Sequence, residues 1–216
     1  MRMNVLARSK FPLAQRGKAA IFPAMHRSLP ILLLIGLLIL FRALAAAVPE
    51  AMPNFQPVAA LFFCGALMAG GWRGFLIPLA AWIISYPLPA IFQSGPVTDP
   101  FIFGSTLLAF AVTFLLGKSL STRSMPALLI GSLTAALSFH LITNGAAWLF
   151  DPRYAKTLAG LLQSLWTGAT GAPLPSWVFL RNFAAANLLF TWIVLSARIC
   201  LPQLSIASPA SSTPAH

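Results

Sequence analysis

The sequence predicts an all-α polytopic membrane protein, a bundle of six transmembrane helices with one short interfacial helix on its outer side. Three observations carry this reading. Of 216 residues, 58% are hydrophobic and 8% are charged, with a mean hydropathy of +0.84. That is more apolar material than one soluble core of this size takes up. Six apolar segments approach the roughly 20 residues that a bilayer span requires. Lysine and arginine gather on alternate loops between those segments, as a membrane topology demands.

Taken in order, residues 1–29 carry Arg2, Arg8, Lys10, Arg16, Lys18 and Arg27 without an acid, and Pro12, Pro23 and Pro30 interrupt any helix. They read as a basic cytoplasmic tail. A cleaved signal peptide is the alternative, with 31–40 as its apolar region and Ala43-Leu44-Ala45 as the cut. The long basic stretch and Arg42 just before the cut favour retention. The membrane domain, 30–200, holds spans at about 30–48, 57–72, 74–92, 101–117, 125–149 and 177–199. Gly70 to Arg73 make a tight hairpin between the second and third spans, and Pro78, Pro87 and Pro89 bend the third or end it early. Between the last two spans, Leu158, Leu161, Leu162, Leu165 and Trp166 follow i, i+3, i+4, i+7, i+8, the pattern of an amphipathic helix at the outer surface. Gly168, Gly171, Pro173 and Pro175 break the chain after it, and the segment from Tyr154 to Thr167 is placed to act as a lid. Residues 201–216 are small, polar and proline-containing, a disordered cytoplasmic tail.

The net charge of +11 would suit nucleic acid, but its distribution answers to topology instead. The tail, Arg73, Lys118, Arg123 and Arg198 fall on one side. The opposite loops hold all three acids, Glu50, Asp99 and Asp151, with Arg153 and Lys156. Both termini are therefore expected in the cytoplasm and the protein in the cell (inner) membrane. Cys64 and Cys200 lie at different depths and form no disulfide or metal framework. Walker A, GxSxG and HExxH sequences are absent and no carboxylate lies within a span, so no enzyme chemistry, metal or cofactor is expected. A passive or partner-driven role fits better than ion-coupled transport.

Candidate binding residues are the polar groups inside or bordering the spans. His140, Thr143, Asn144 and Trp148 share one helical face in FHLITNGAAWL, and such a stripe needs a neighbouring helix, water or a ligand to bond. Arg42 and Arg181 are charges inside predicted spans, costing about 2.5 to 3.5 kcal/mol at mid-bilayer. Neither has an intramembrane acid. With Asn54, Gln56 and Asn182 they would collect at one depth, with the arginines supplying charge for a carboxylate or phosphate. Snorkelling arginines and helix-to-helix hydrogen bonds are the competing account.

Three ordered blocks carry a resemblance. They are Asn54-Phe55-Gln56-Pro57-Val58-Ala59-Ala60-Leu61, then Thr143-Asn144 with Trp148, then Tyr154-Ala155-Lys156-Thr157-Leu158-Ala159-Gly160-Leu161-Leu162. Over about residues 33–199 the chain resembles an uncharacterised family of bacterial membrane proteins of transport type. That family is similar, more distantly, to the substrate-binding S components of energy-coupling factor (ECF) transporters. The resemblance implies six helices, a vitamin-like solute bound near the outer surface, and docking on a membrane scaffold subunit with two ATPases. Ala43, Ala46 and Ala47 on the first helix would be the docking surface. Where family members carry acids, this chain has Tyr86 after Ser85, and Asn182 preceded by Arg181. That exchange favours an anionic solute. The expected function is thus a membrane solute-binding subunit for uptake of a small anionic micronutrient, in contact with lipid. The alternative is a small membrane protein of structural or assembly role without transport activity.

Overall fold

The computed structural model describes residues 32, 35–44, 47, 52–68, 71–87, 100–120 and 124–200, with side chains through Ser196. Both predicted tails, the loops carrying Glu50 and Asp99, and Ala46 lie outside the described residues. Within them the chain forms helices and no strand: α1 Ile35–Leu44, α2 Val58–Met68, α3 Arg73–Ser85, α4 Pro100–Ser119, α5 Met125–Phe150, α6 Leu158–Trp166 and α7 Ser176–Cys200.

Helices α4, α5 and α7 are long and apolar enough to cross a membrane, with mean hydropathies of 1.9, 1.7 and 1.6 over their best stretches. Twenty residues at 1.5 Å each reach about 30 Å, the hydrocarbon thickness. Their outward faces are as apolar as their inward ones: Leu108, Leu115, Ile130 and Trp192 are all exposed. A surface of that kind belongs in lipid. Helices α1, α2 and α3 are apolar but shorter. The third expected span, 74–92, is described as helix only to Ser85; Tyr86 keeps helical angles (φ −61°, ψ −41°), and Pro87 has no N–H with which to continue the ladder. Pro126 opens α5, in the first turn where its missing N–H is not needed.

The core is assembled around α2. Every residue from Val58 to Gly65 is buried, enclosed by α3, α4, α5 and α7. Small residues permit the approach. A side chain on Gly65 would run into the Gly74 carbonyl, and one on Gly117 would come to 2.6 Å from the Phe63 carbonyl. Phe62 stacks on Phe110 at 4.2 Å, Phe110 meets Phe139 at 5.5 Å, and Phe139 meets Phe183 at 4.7 Å, a row linking α2, α4, α5 and α7.

One buried polar network runs through this apolar interior. The first-turn N–H of Ala60 has no carbonyl within α2, since the helical ladder starts with Leu61 N donating to Pro57 O. Asn187 of α7 supplies the missing acceptor: its Oδ1 receives the Ala60 N–H at 2.5 Å, and its Nδ2 donates to Phe183 O at 2.8 Å. Ser132 of α5 donates to Asn187 O at 3.2 Å and lies 2.9 Å from the Thr191 hydroxyl. The cap of α2 therefore comes from another helix.

Helix α6 forms where its leucine spacing predicts. Thr157 caps it by accepting from Gly160 N at 3.2 Å. Its leucines do not form a face turned onto the bundle. Leu158, Leu162 and Trp166 are exposed, while Gly160 and Ser164 are buried and α6 packs on α5 and α7. Small residues let the backbones approach, and lipid takes the leucines at no cost. Any side chain on Gly160 would collide with the Ala155 carbonyl.

Candidate functional site

Where α5 ends and α7 begins, the bundle holds a cavity of about 340 Å³, within the range of small-molecule sites. Helix α5 contributes Phe139, His140, Thr143 and Asn144, and α7 contributes Ser176, Phe179, Leu180 and Phe183. Both sets follow three- and four-residue steps, so each is one helical face. Asn54, in the turn before α2, closes a third side. It sits at φ 57°, a left-handed conformation that asparagine tolerates better than most residues.

The polar groups are held from behind. His140 Nε2 lies 2.9 Å from Leu165 O in the last turn of α6. Asn144 Nδ2 lies 3.0 Å from His140 Nδ1 and donates to His140 O at 3.0 Å. The Thr143 hydroxyl donates to Phe139 O at 2.9 Å. On the other wall Gln56 Nε2 donates to Asn54 Oδ1 at 2.8 Å. Arg42, 8% exposed, donates from Nη1 to Gln56 Oε1 at 3.3 Å and from Nε to Ser85 O at 3.2 Å.

Of the residues proposed from the sequence, Asn54, His140, Thr143 and Asn144 line the cavity. Arg42 and Gln56 stand behind Asn54 without lining it. Arg181 is exposed: its guanidinium lies 5.3 Å over the Trp177 ring and its Nε donates to Asn182 Oδ1 at 3.2 Å. Asn182 Nδ2 donates to Pro53 O at 3.0 Å, which pins the turn that carries Asn54. Trp148 donates to Ala155 O at 2.9 Å and so anchors the loop before α6. Among the described residues no charged side chain lines the cavity. Sequence reasoning passed over Ser176, Phe179 and Phe183, although their spacing at the start of the last span carries the same helical signal as the α5 stripe.

The loop between α5 and α6 is fixed by charge. Lys156 donates to the carbonyls of Trp148 and, at 2.8 Å, of Asp151, placing a cation at the α5 C-terminus where free carbonyls collect. Asp151 and Arg153 pair at 2.7 Å. The Arg153 hydrogen bond holds the Asp151 carboxyl below its ordinary range, and burial raises the Tyr154 phenol. Gly168, at φ 81°, turns the chain out of α6, with its N–H donating to Gln163 O at 2.7 Å.

Membrane-length helices define the class, a helical membrane protein, and among the described residues they enclose a polar, uncharged cavity of small-molecule size. Within that class the chain belongs to a family of unknown function, DUF6580, matched over residues 23–207. No curated protein and no solved structure matches it.

Proposed function

We propose that the protein is a solute-binding membrane subunit of an uptake system, similar in role to the S components of energy-coupling factor transporters. The observation that carries this reading is the cavity of about 340 Å³, whose polar wall atoms are oriented by bonds to one another and to Gln56 and Leu165 behind them. Lipid-filled gaps between helices need no such orientation. On this reading α1, α2 and α3 belong to three further spans, both termini are cytoplasmic, the membrane is the cell membrane, and the cavity faces outward. The arginine and lysine distribution supports that arrangement. A scaffold subunit with ATPases would supply the driving force that the chain itself lacks.

Mass spectrometry of small molecules extracted from the purified protein tests the proposal. One solute should be enriched with the wild type and depleted in Asn54→Gly and Asn144→Ala. No enrichment, or equal enrichment in all three proteins, refutes solute binding and leaves the polar groups as bonds between helices. Reporter fusions at Gly95 and Ser211 should appear on opposite sides of the membrane. The same side for both would remove the six-span arrangement.

A further inference from the structure

The hydrogen-bonding polarity of the cavity is fixed from two directions, each starting at a group with a single role. A guanidinium only donates. Because Arg42 Nη1 faces Gln56 at 3.3 Å, Gln56 must present Oε1 there, so its Nε2 is the atom that reaches Asn54 at 2.8 Å. Asn54 must then present Oδ1 to Gln56. Its Nδ2, without a hydrogen-bond partner among the described residues, is what it offers to the cavity.

A backbone carbonyl only accepts. Leu165 O, 2.9 Å from His140 Nε2, places the hydrogen of the neutral imidazole on Nε2 and leaves Nδ1 bare. Asn144 therefore meets Nδ1 with its amide nitrogen at 3.0 Å, and the same nitrogen donates to His140 O at 3.0 Å. Asn144 offers Oδ1 to the cavity. The Thr143 hydrogen is spent on Phe139 O, so its lone pairs face the same way. The wall built on α5 accepts and the wall before α2 donates.

This pattern selects against charge. A carboxylate or phosphate would meet the Asn144 oxygen and the Thr143 lone pairs with no cation among the described lining residues, and desolvating an unpaired ion is costly. A cation would find no anion among them either. Phe139, Phe179 and Phe183 supply an aromatic wall. We propose that the cavity takes an uncharged, planar solute carrying an adjacent acceptor and donor, a primary amide or lactam edge. Its acceptor meets Asn54 Nδ2, its donor meets Asn144 Oδ1, and its ring lies on the phenylalanines. The proposal rests on the solute-binding reading and replaces the anionic solute expected from the sequence. Arg42 is a positioning residue: its charge polarises the Gln56 and Asn54 amides in series and fixes their direction.

The test uses the full chain in lipid nanodiscs and three probes, nicotinamide, N,N-dimethylnicotinamide and nicotinate, with binding followed by saturation-transfer difference NMR. The first offers donor and acceptor, the second loses the donor, and the third is the charged isostere. Nicotinamide should bind about tenfold more tightly than either of the others, the size expected when one polar group is left unpaired. Asn54→Gly, which suits the positive φ, and Asn144→Ala, which suits a helix, should each lower nicotinamide binding about tenfold. Tighter binding of nicotinate overturns the neutral class while leaving solute binding intact. Equal binding of nicotinamide and its dimethyl derivative overturns the donor contact. Absence of binding by all three overturns the proposal, and with no copurifying solute it overturns the reading beneath it as well.

Discussion

Replacing Asn187 by leucine isolates the bond that α7 gives to α2. The side chain is fully buried, and leucine keeps its branched heavy-atom skeleton with bulkier methyl groups in place of the amide atoms, so no cavity is created. What is lost is the acceptor for Ala60 N–H, 2.5 Å away. An orphaned buried donor costs about 1 to 3 kcal/mol, whereas hydrogen bonds between membrane helices average about 0.6 and reach about 1.7 kcal/mol. The lower average reflects unfolded states that find other partners. Ala60 N–H has no such escape while α2 stays helical, because the α2 ladder starts with Leu61 N donating to Pro57 O. A loss of about 1.5 kcal/mol follows, equivalent to a fall of about 3 to 6 °C in Tm by the scaling for chains of this size. Thermal unfolding in detergent measures the loss, and hydrogen exchange at Ala60 localises it. A variant that melts with the wild type while the Ala60 amide stays protected would refute the argument.

Gly160→Ala should release α6 from the loop before it, because the added carbon meets the Ala155 carbonyl; cysteine labelling at Ser164, buried in the wild type, should rise, and unchanged labelling would count against the packing. Lys156→Met removes the cation from the α5 C-terminus and should cost about 0.5 to 1 kcal/mol, seen as faster exchange of the Asp151 amide. Asp151 is held below its ordinary carboxylate pKa by Arg153, so the stability of the loop is full above the unfolded value of 3.8 and declines as pH falls through the folded one. Asp151→Asn should abolish that acid dependence. Arg181→Gln, whose wild-type side chain lies over Trp177 outside the cavity, should change solute retention less than Asn54→Gly does; a larger effect would restore a charged site.

The long helices were legible because period and length both speak for them. Spans expected at 101–117, 125–149 and 177–199 are helices Pro100–Ser119, Met125–Phe150 and Ser176–Cys200. The α5 stripe was legible for the same reason: His140 and Asn144 interrupt an apolar run on one face, and both line the cavity. Facing was not legible. In lipid an apolar stripe gains nothing by turning inward, so the leucines of α6 could not report their orientation, and Gly160 and Ser164, which could, carry little signal alone. The arginines misled for a related reason. Burial of Arg42 is met by the Ser85 carbonyl and Gln56, acceptors 43 and 14 residues away in sequence, and a charge count does not see acceptors that the fold brings in. Asn187 was passed over although a lone asparagine inside a hydrophobic helix demands a partner. Its partner is a backbone N–H, which every sequence position offers equally.

The cap on α2 also bears on how the chain is made. An 11-residue helix is about 16 Å long, far short of the bilayer, and its enclosing helices α4, α5 and α7 are all synthesised after it. The acceptor for Ala60 N–H lies 127 residues further on. During synthesis α2 must therefore wait, with its first turn either hydrated near the membrane surface or held by another protein, until the final helix emerges. Chains stopped before Asn187 would carry an unmet donor at the centre of a bundle that also lacks most of α7, a defect by which a membrane quality-control protease would tell unfinished molecules from finished ones.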